Sequence, residues 1–375
     1  MDQVDQNTQR RTLKLGLTAH DPERTCPGFV LYAPMFGDGE MYLIDMQGNE
    51  VRTLQMPYPP GLWGYVLPNG NIFYGGKLKN DETWDRFPAW RLFKGGVMAE
   101  VDWDGNVVWE HRDINHHHDA RRTESGGAIY LASEPMPEDL VRRVQGGVAG
   151  TDHDGMWADV IVEVDAAGNR VWEWHMQEHL DVDRHRLTFN DIRHEWSHAN
   201  TVVPLDGDRV MVSMRNISTI AIIDKATGEF EWEVGPPMLS QQHDPSLLEN
   251  GNVLVFDNGG YRPDVPLPFS RVLELDRSDS KIAWLYRDQT ALSFFSPYIS
   301  GAQRLPNGNT LITEGNPGRI FQVTADGDVV WEYTNPHFHT QPLAGALAMV
   351  DSSEQLVNSV FRAMHYDVSE IPALS

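Results

Sequence analysis

The chain has 375 residues, 41% of them hydrophobic and 22% charged, and its 30 basic against 54 acidic side chains leave a net charge of -24. That negative excess argues against nucleic acid or anionic membranes as partners, since both repel it. No apolar run nears the length of a membrane span, and the single cysteine, Cys26, allows neither an intrachain disulfide nor a thiolate metal cluster.

The opening stretch, MDQVDQNTQRRTLKLGL, lacks the apolar centre of a secretory signal. The chain therefore reads as cytoplasmic, with residues 1–27 an extension ahead of the main domain. Beyond it two patterns alternate. The first is an apolar stretch, an Asp, a Gly or Asp/Asn turn and then a Trp: MYLIDMQGNEVRTL, MAEVDWDGNVVWEH, VIVEVDAAGNRVWEW, IAIIDKATGEFEWEV, VLELDRSDSKIAWLY and IFQVTADGDVVWEY. Its anchors are Asp45, Asp102, Asp165, Asp224, Asp276 and Thr324, and five copies carry Trp109, Trp172, Trp232, Trp284 and Trp331. The second pattern has five clear copies: LWGYVLPNGNIFYGG, HHDARRTESGGAIYL, SHANTVVPLDGDRVMVS, QHDPSLLENGNVLVFD and SGAQRLPNGNTLITE. Apolar alternation on both sides of a tight turn marks a β-hairpin, and Asn-Gly suits a two-residue turn.

One unit of each kind makes a four-stranded antiparallel sheet. Six such sheets, repeating every ~50 to 60 residues, predict an all-β fold, a six-bladed β-propeller spanning residues 28–375. The tail QLVNSVFRAMHYD is expected to pair with GFVLYAPMF near the N-terminus, closing the ring and removing its free edges. The Trp series is expected to pack between blades. Two excursions near 77–96 and 175–196 are longer than hairpin loops and rich in Trp, Arg and His, and read either as functional covers or as surface decoration.

In a propeller the innermost strand of each blade lines the central channel, so equivalent positions converge. The five clear inner strands begin with Trp63 and Gly64, with His118, with His198 and Asn200, with His243, and with Ser300 and Gly301. Three histidines from three consecutive blades therefore face one mouth of the channel. His116 and His117 compete with His118 for the inward place; alternation along a strand favours His118, with His117 a possible second contact. Arg215, at the end of the strand opened by His198, can bind an anion with its planar fork or form a rim salt bridge. Trp63, Tyr65 and Phe294 are available to sandwich an aromatic ring or to pack the core.

EWSHANTVV, VSMRNISTIAIID, QQHDPSLLENGNVLVFDNG, SGAQRLPNGNTLI and NSVFRAMHY together resemble the arylsulfotransferase family, PAPS-independent aryl-sulfate sulfotransferases on a six-bladed propeller. The likeness runs from about Gly28 to Tyr366. It implies that His243 is the nucleophile that becomes a transient sulfohistidine, that His198 and Asn200 hold sulfuryl oxygens, and that Arg215 neutralises them. It also implies that His118 protonates the leaving phenolate and later deprotonates the acceptor. His117, Trp63 and Ser300 stand as further substrate contacts, and no cofactor is implied. The better-known members carry an extra N-terminal β domain and a disulfide, neither of which is expected here.

Two other readings use the same residues. Three neutral imidazoles, His118, His198 and His243, also suit one divalent metal (Zn, Mn or Fe) in a lyase or hydrolase, with Asp119 and Asp244 as candidate partners of the far ring nitrogens. A binding propeller without catalysis is the third. Arg215 and Asn200 favour an anionic group over a metal. HMQEH at 175–179 has the i, i+4 spacing of a helical metal pair but reads as a solvated loop, and HFH at 337–339 stays unassigned. The partner expected in every case is a small aromatic or anionic molecule.

Overall fold

Each Gly turn between alternating apolar stretches folds as an antiparallel hairpin, and the hairpins pair into six sheets arranged as a β-propeller. The computed structural model describes residues 14–262, 265, 267–341 and 355–374. Blade one pairs Val360–Tyr366 with Phe29–Pro34, followed by Glu40–Asp45 and Glu50–Gln55. The last strand of the ring thus joins the first, as the tail motif implied. Blades two to six begin at the axis with Pro60–Val66, His116–Arg122, Ala199–Leu205, His243–Leu247 and Gly301–Arg304. These inner strands touch their neighbours around the channel.

The outer hairpins explain the conserved spacing of Asp and Trp within the chain. In blade one the Asp45 carboxylate accepts the backbone N–H groups of Gln47 and Asn49, closing the turn on itself, and Asp102 and Asp165 do the same. The indole N–H of Trp109, Trp172, Trp284 and Trp331 each donates to a backbone carbonyl in the turn of the next blade, at Ala166, Lys225, Ala325 and Met46. These Trp residues hold blade to blade.

Two expectations change. The Asn-Gly turns are not two-residue turns. The backbone bonds from Leu67 to Asn71 and from Gly70 to Leu67 close a three-residue loop, in which only Gly70 has positive φ, at 86°. This is a type I turn followed by a glycine bulge. The N-terminal extension is also not wholly outside the domain. Gly16–His20 pairs with Val329–Thr334 and adds a fifth strand to blade six, while residues 1–13 lie outside the described residues. Among the described residues no helix is long and apolar enough to cross a membrane.

Both long excursions return to the axial mouth. The first carries the short helix Trp90–Phe93. Lys94, fully buried, anchors it through bonds to Thr83 Oγ1 and the Ile114 carbonyl and an ion pair with Asp81 at 2.8 Å. The second begins with one helical turn, Met176–His179, where a solvated loop was expected. There His175 bonds Glu134 and His179 stacks on Trp174, so HMQEH is a packing element. His337 of HFH stacks on Tyr42 and bonds Glu50, well engaged at the rim.

Candidate active site

The inner strands do not run straight into the channel. His118 and His198 sit in the left-handed region, with φ of 52° and 47°, which a β-branched residue would resist and histidine tolerates. The pairing register slips at His118 and Asp119, opposite Tyr130 and Leu131, in blade three, and at Asn200, between Ala199 and Thr201, two residues after His198 in blade four. The bulge in blade three re-aims the His118 imidazole off the sheet. The geometry places His118, His198 and His243 around one cavity of about 960 Å³, which Arg215 also lines. The His118 and His198 rings are 4.7 Å apart, centre to centre. Phe361, on the closing strand, lies 6.3 Å from both His118 and His243.

Hydrogen-bond partners set the state of each ring. Asn258 donates through Nδ2 to the carbonyls of Ser296 and Ile299, both at 2.8 Å. Its Oδ1 must therefore face His243 Nδ1, 2.8 Å away, which makes His243 the donor there and leaves Nε2 with its lone pair. His198 Nδ1 donates to Glu195 at 2.9 Å. His118 Nδ1 contacts Nδ1 of His117 at 2.8 Å. Burial first, then the charge of Arg215, holds His243 well below the usual imidazole range. Burial and the imidazoles of His198, His117 and His243 do the same to His118. Both rings are neutral at neutral pH. Arg215 bonds Asn216 Oδ1 at 2.7 Å and Gln241 Oε1 at 3.2 Å and lies 3.4 Å from Asp191. It is thus both a cavity residue and half of an ion pair.

Four of the expected contacts stand away from the cavity. Trp63, Asn200, His117 and Ser300 are buried but do not line it. Asn200 ties blade four to the Gln242 carbonyl at 2.8 Å, and Ser300 Oγ accepts the Gly315 N–H. The Trp63 indole donates to Asp119 at 3.0 Å, in a layer just beneath the histidines. The fully buried Arg362 lies 3.1 Å from Asp119 and 2.9 Å from Asp244, and Arg121 reaches Asp119 at 3.4 Å. Burial pushes the Asp119 carboxyl up, but Arg121, Arg362 and the Val202 amide outweigh it and hold it below the usual range. Gly301 is required here, because a Cβ would come within 2.3 Å of Asp244 Oδ2.

Asp119 and Asp244 are thereby committed to Arg362, Arg121 and Trp63, not to the far nitrogens of the axial histidines as the metal reading expected. Among the described residues no group of three or more His, Cys, Asp or Glu side chains is spaced to hold a metal ion.

Residues 93–336, more than half of the chain, match the family described as Arylsulfotransferase (ASST). The chain belongs to that family. Membership supports an aryl sulfotransferase-like function in general. No curated protein matches the chain. Among solved structures, a protein of unknown function from Bacteroides caccae is similar at TM-score 0.50 and 13% identity, over 82% of this chain and 93% of that one. The WD40 β-propeller domain of Doa1 follows at TM-score 0.47 and 11% identity, over 95% of each chain. Streptogramin B lyase stands at 0.47 and 13%, over 85% of this chain and 82% of that one. At 13% identity the likeness to the Bacteroides caccae protein is one of fold alone.

In this arylsulfotransferase-family chain, several cavity residues escaped the sequence reading. Phe93 stacks on His118 at 4.5 Å and meets His198 edge-on at 4.7 Å. Asp191 and Glu195 come from the second excursion, and Leu356 and Val357 from the hairpin that precedes the closing strand. The length and aromatic content of the excursions were the available signal for Phe93, and both excursions do cover the site. Tyr65 and Phe294 pack elsewhere, on Trp63 and among Phe256, Tyr286 and Phe321.

Proposed function

We propose that the protein moves a sulfuryl group from an aryl sulfate to a phenolic acceptor through a histidine intermediate on His243. The observation that carries this reading is the His243–Asn258 bond, which leaves a neutral Nε2 lone pair at the floor of a cavity that also holds Arg215. A neutral imidazole is a competent nucleophile near neutral pH. In the first half-reaction Nε2 attacks sulfur, an N–S bond forms, the S–O bond to the ring breaks, and the aryl oxide departs with the electron pair. In the second, the acceptor hydroxyl gives its proton to His118 Nε2 and its oxygen attacks sulfur. The N–S bond breaks and its electrons return to His243. The proton on His118 passes to the next departing aryl oxide or to water.

Arg215 balances charge on the sulfuryl oxygens in both steps. His198, whose Nδ1 bonds Glu195, faces the same cavity beside the sulfuryl site. Phe36, Phe93 and Tyr298 among the cavity walls suit an aromatic ring. A neutral His118 holds no proton for the first leaving group, which favours donors whose phenols are acidic enough to leave as anions.

The test is the intact mass of the protein after incubation with 4-nitrophenyl sulfate. A sulfuryl-sized adduct that is absent in His243→Ala supports the reading. An unmodified chain that releases nitrophenol all the same, or an adduct that persists in His243→Ala, sinks it. Metal analysis of the same preparation separates this from the lyase alternative.

A further inference from the structure

His117 and His118 are consecutive, and in a regular strand their side chains would point to opposite faces. The left-handed backbone at His118 brings both rings to one side, so that their Nδ1 atoms meet at 2.8 Å. Behind them, on the third strand of the same blade, Asp159 Oδ1 stands 3.0 Å from His117 Nε2, a close but bent contact. The other carboxylate oxygen, Oδ2, accepts two donors from blade four, Ser197 Oγ and the Ala199 N–H, both at 2.6 Å. Asp159, His117 and His118 form a buried file that runs from the blade interior to the cavity.

We propose that Asp159 and His117 are positioning residues that hold the proton of His118 on Nδ1 and so keep its Nε2 free to act as the base in sulfuryl transfer. This rests on the proposed function for its catalytic consequence, but the proton arrangement stands on the geometry alone. A carboxylate can only accept, so His117 Nε2 carries a hydrogen toward it. His117 Nδ1 is then the acceptor, and His118 Nδ1 the donor. The same file stabilises the positive charge on His118 once the acceptor hydroxyl has given up its proton, while the proton itself leaves again from Nε2. Burial pushes the Asp159 carboxyl up, but His117, Ser197 and the Ala199 amide outweigh it and keep it ionised.

The substitution Asp159→Asn reverses the file without changing its shape. Ser197 Oγ and the Ala199 N–H need an acceptor, so the amide oxygen of the variant must face them. Its NH2 group then points at His117 Nε2 and donates to it. His117 becomes protonated on Nδ1, donates to His118, and forces the His118 proton onto Nε2.

The experiment uses the full chain with 15N-labelled histidine and reads ring tautomers by long-range proton–nitrogen correlation. We expect His118 to carry its proton on Nδ1 in the wild type and on Nε2 in Asp159→Asn. The kinetic arm uses 4-nitrophenyl sulfate with phenol as acceptor. The first burst of nitrophenol should survive in the variant, because this leaving group needs no acid. Steady turnover should fall about 10²- to 10⁴-fold, the range lost with a general base. A wild-type His118 protonated on Nε2, a tautomer unmoved by the substitution, or an equal fall in burst and turnover would each overturn the proposal. If Asp159→Asn does not fold, the wild-type tautomer still decides it. A wild type that gives neither burst nor sulfuryl-sized adduct refutes the sulfuryl-transfer reading and leaves the tautomer assignment to stand or fall by the spectrum.

Discussion

Asn258 is the residue on which the state of His243, the proposed nucleophile, depends, and Asn258→Ala separates its two jobs. The side chain is fully buried and makes three hydrogen bonds of 2.8 Å: two to the carbonyls of Ser296 and Ile299 and one from His243. At about 1 kcal/mol net for each buried hydrogen bond, the variant loses about 3 kcal/mol of folding stability. The Ser296 carbonyl keeps a second donor in Ser270 Oγ at 3.3 Å, which limits the loss there. Activity follows a different arithmetic. Without Oδ1 nothing holds the His243 proton on Nδ1 or the ring in place, and a displacement of about 1 Å at a reacting atom costs about 100-fold in rate. In the proposed reaction Arg215 and the apolar walls hold the sulfuryl donor, and the substitution leaves them alone, so KM should stay within about 3-fold while kcat falls. Steady-state kinetics with 4-nitrophenyl sulfate and urea unfolding on the same preparation read the two effects. A variant that loses stability yet keeps wild-type kcat would refute the claim that Asn258 directs the nucleophile.

Arg215→Ala should raise KM and lower kcat together, with kcat/KM down about 100-fold, since a charge-assisted contact worth about 1.5–3 kcal/mol acts in both the bound and the transition state; an unchanged rate would remove Arg215 from the site. Arg362→Met should cost about 3–5 kcal/mol in denaturant unfolding, because it strands Asp244 and weakens the hold on buried Asp119. A loss below about 1 kcal/mol would mean that the layer is not held by that charge. Burial and the neighbouring imidazoles depress His118 in the fold, so the unfolded chain takes up its proton first as pH falls below about 6.5. Stability should drop by about 1.4 kcal/mol per pH unit for this group, and His118→Asn should flatten the slope of unfolding free energy between about pH 5 and 6.5 by that amount. A slope unchanged by the substitution would show that His118 is not held neutral.

The architecture was legible because its determinants are short-range. Period-two alternation, glycine turns and the repeated Asp and Trp are local facts, and six copies of one local fact leave a propeller as the arrangement that buries every sheet face. The tail strand was found by the same logic, since five inner hairpins and an unpaired remainder call for a closing partner. Convergence of His118, His198 and His243 also followed, because equivalent places on neighbouring blades meet at the axis whatever lies between them in sequence. Which atoms enter the cavity was decided only in three dimensions. The left-handed turns at His118 and His198 break the simple alternation that would have sent His117 to the opposite face and ranked Asn200 beside His198, and a shift of one residue moves a side chain from the cavity into the layer held by Arg362. Phe93, Glu195, Asn258 and Asp159 are set by contacts between segments far apart in the chain. No periodicity marks such residues, because what orients a ring nitrogen is the partner behind it, and the tertiary fold alone supplies that partner.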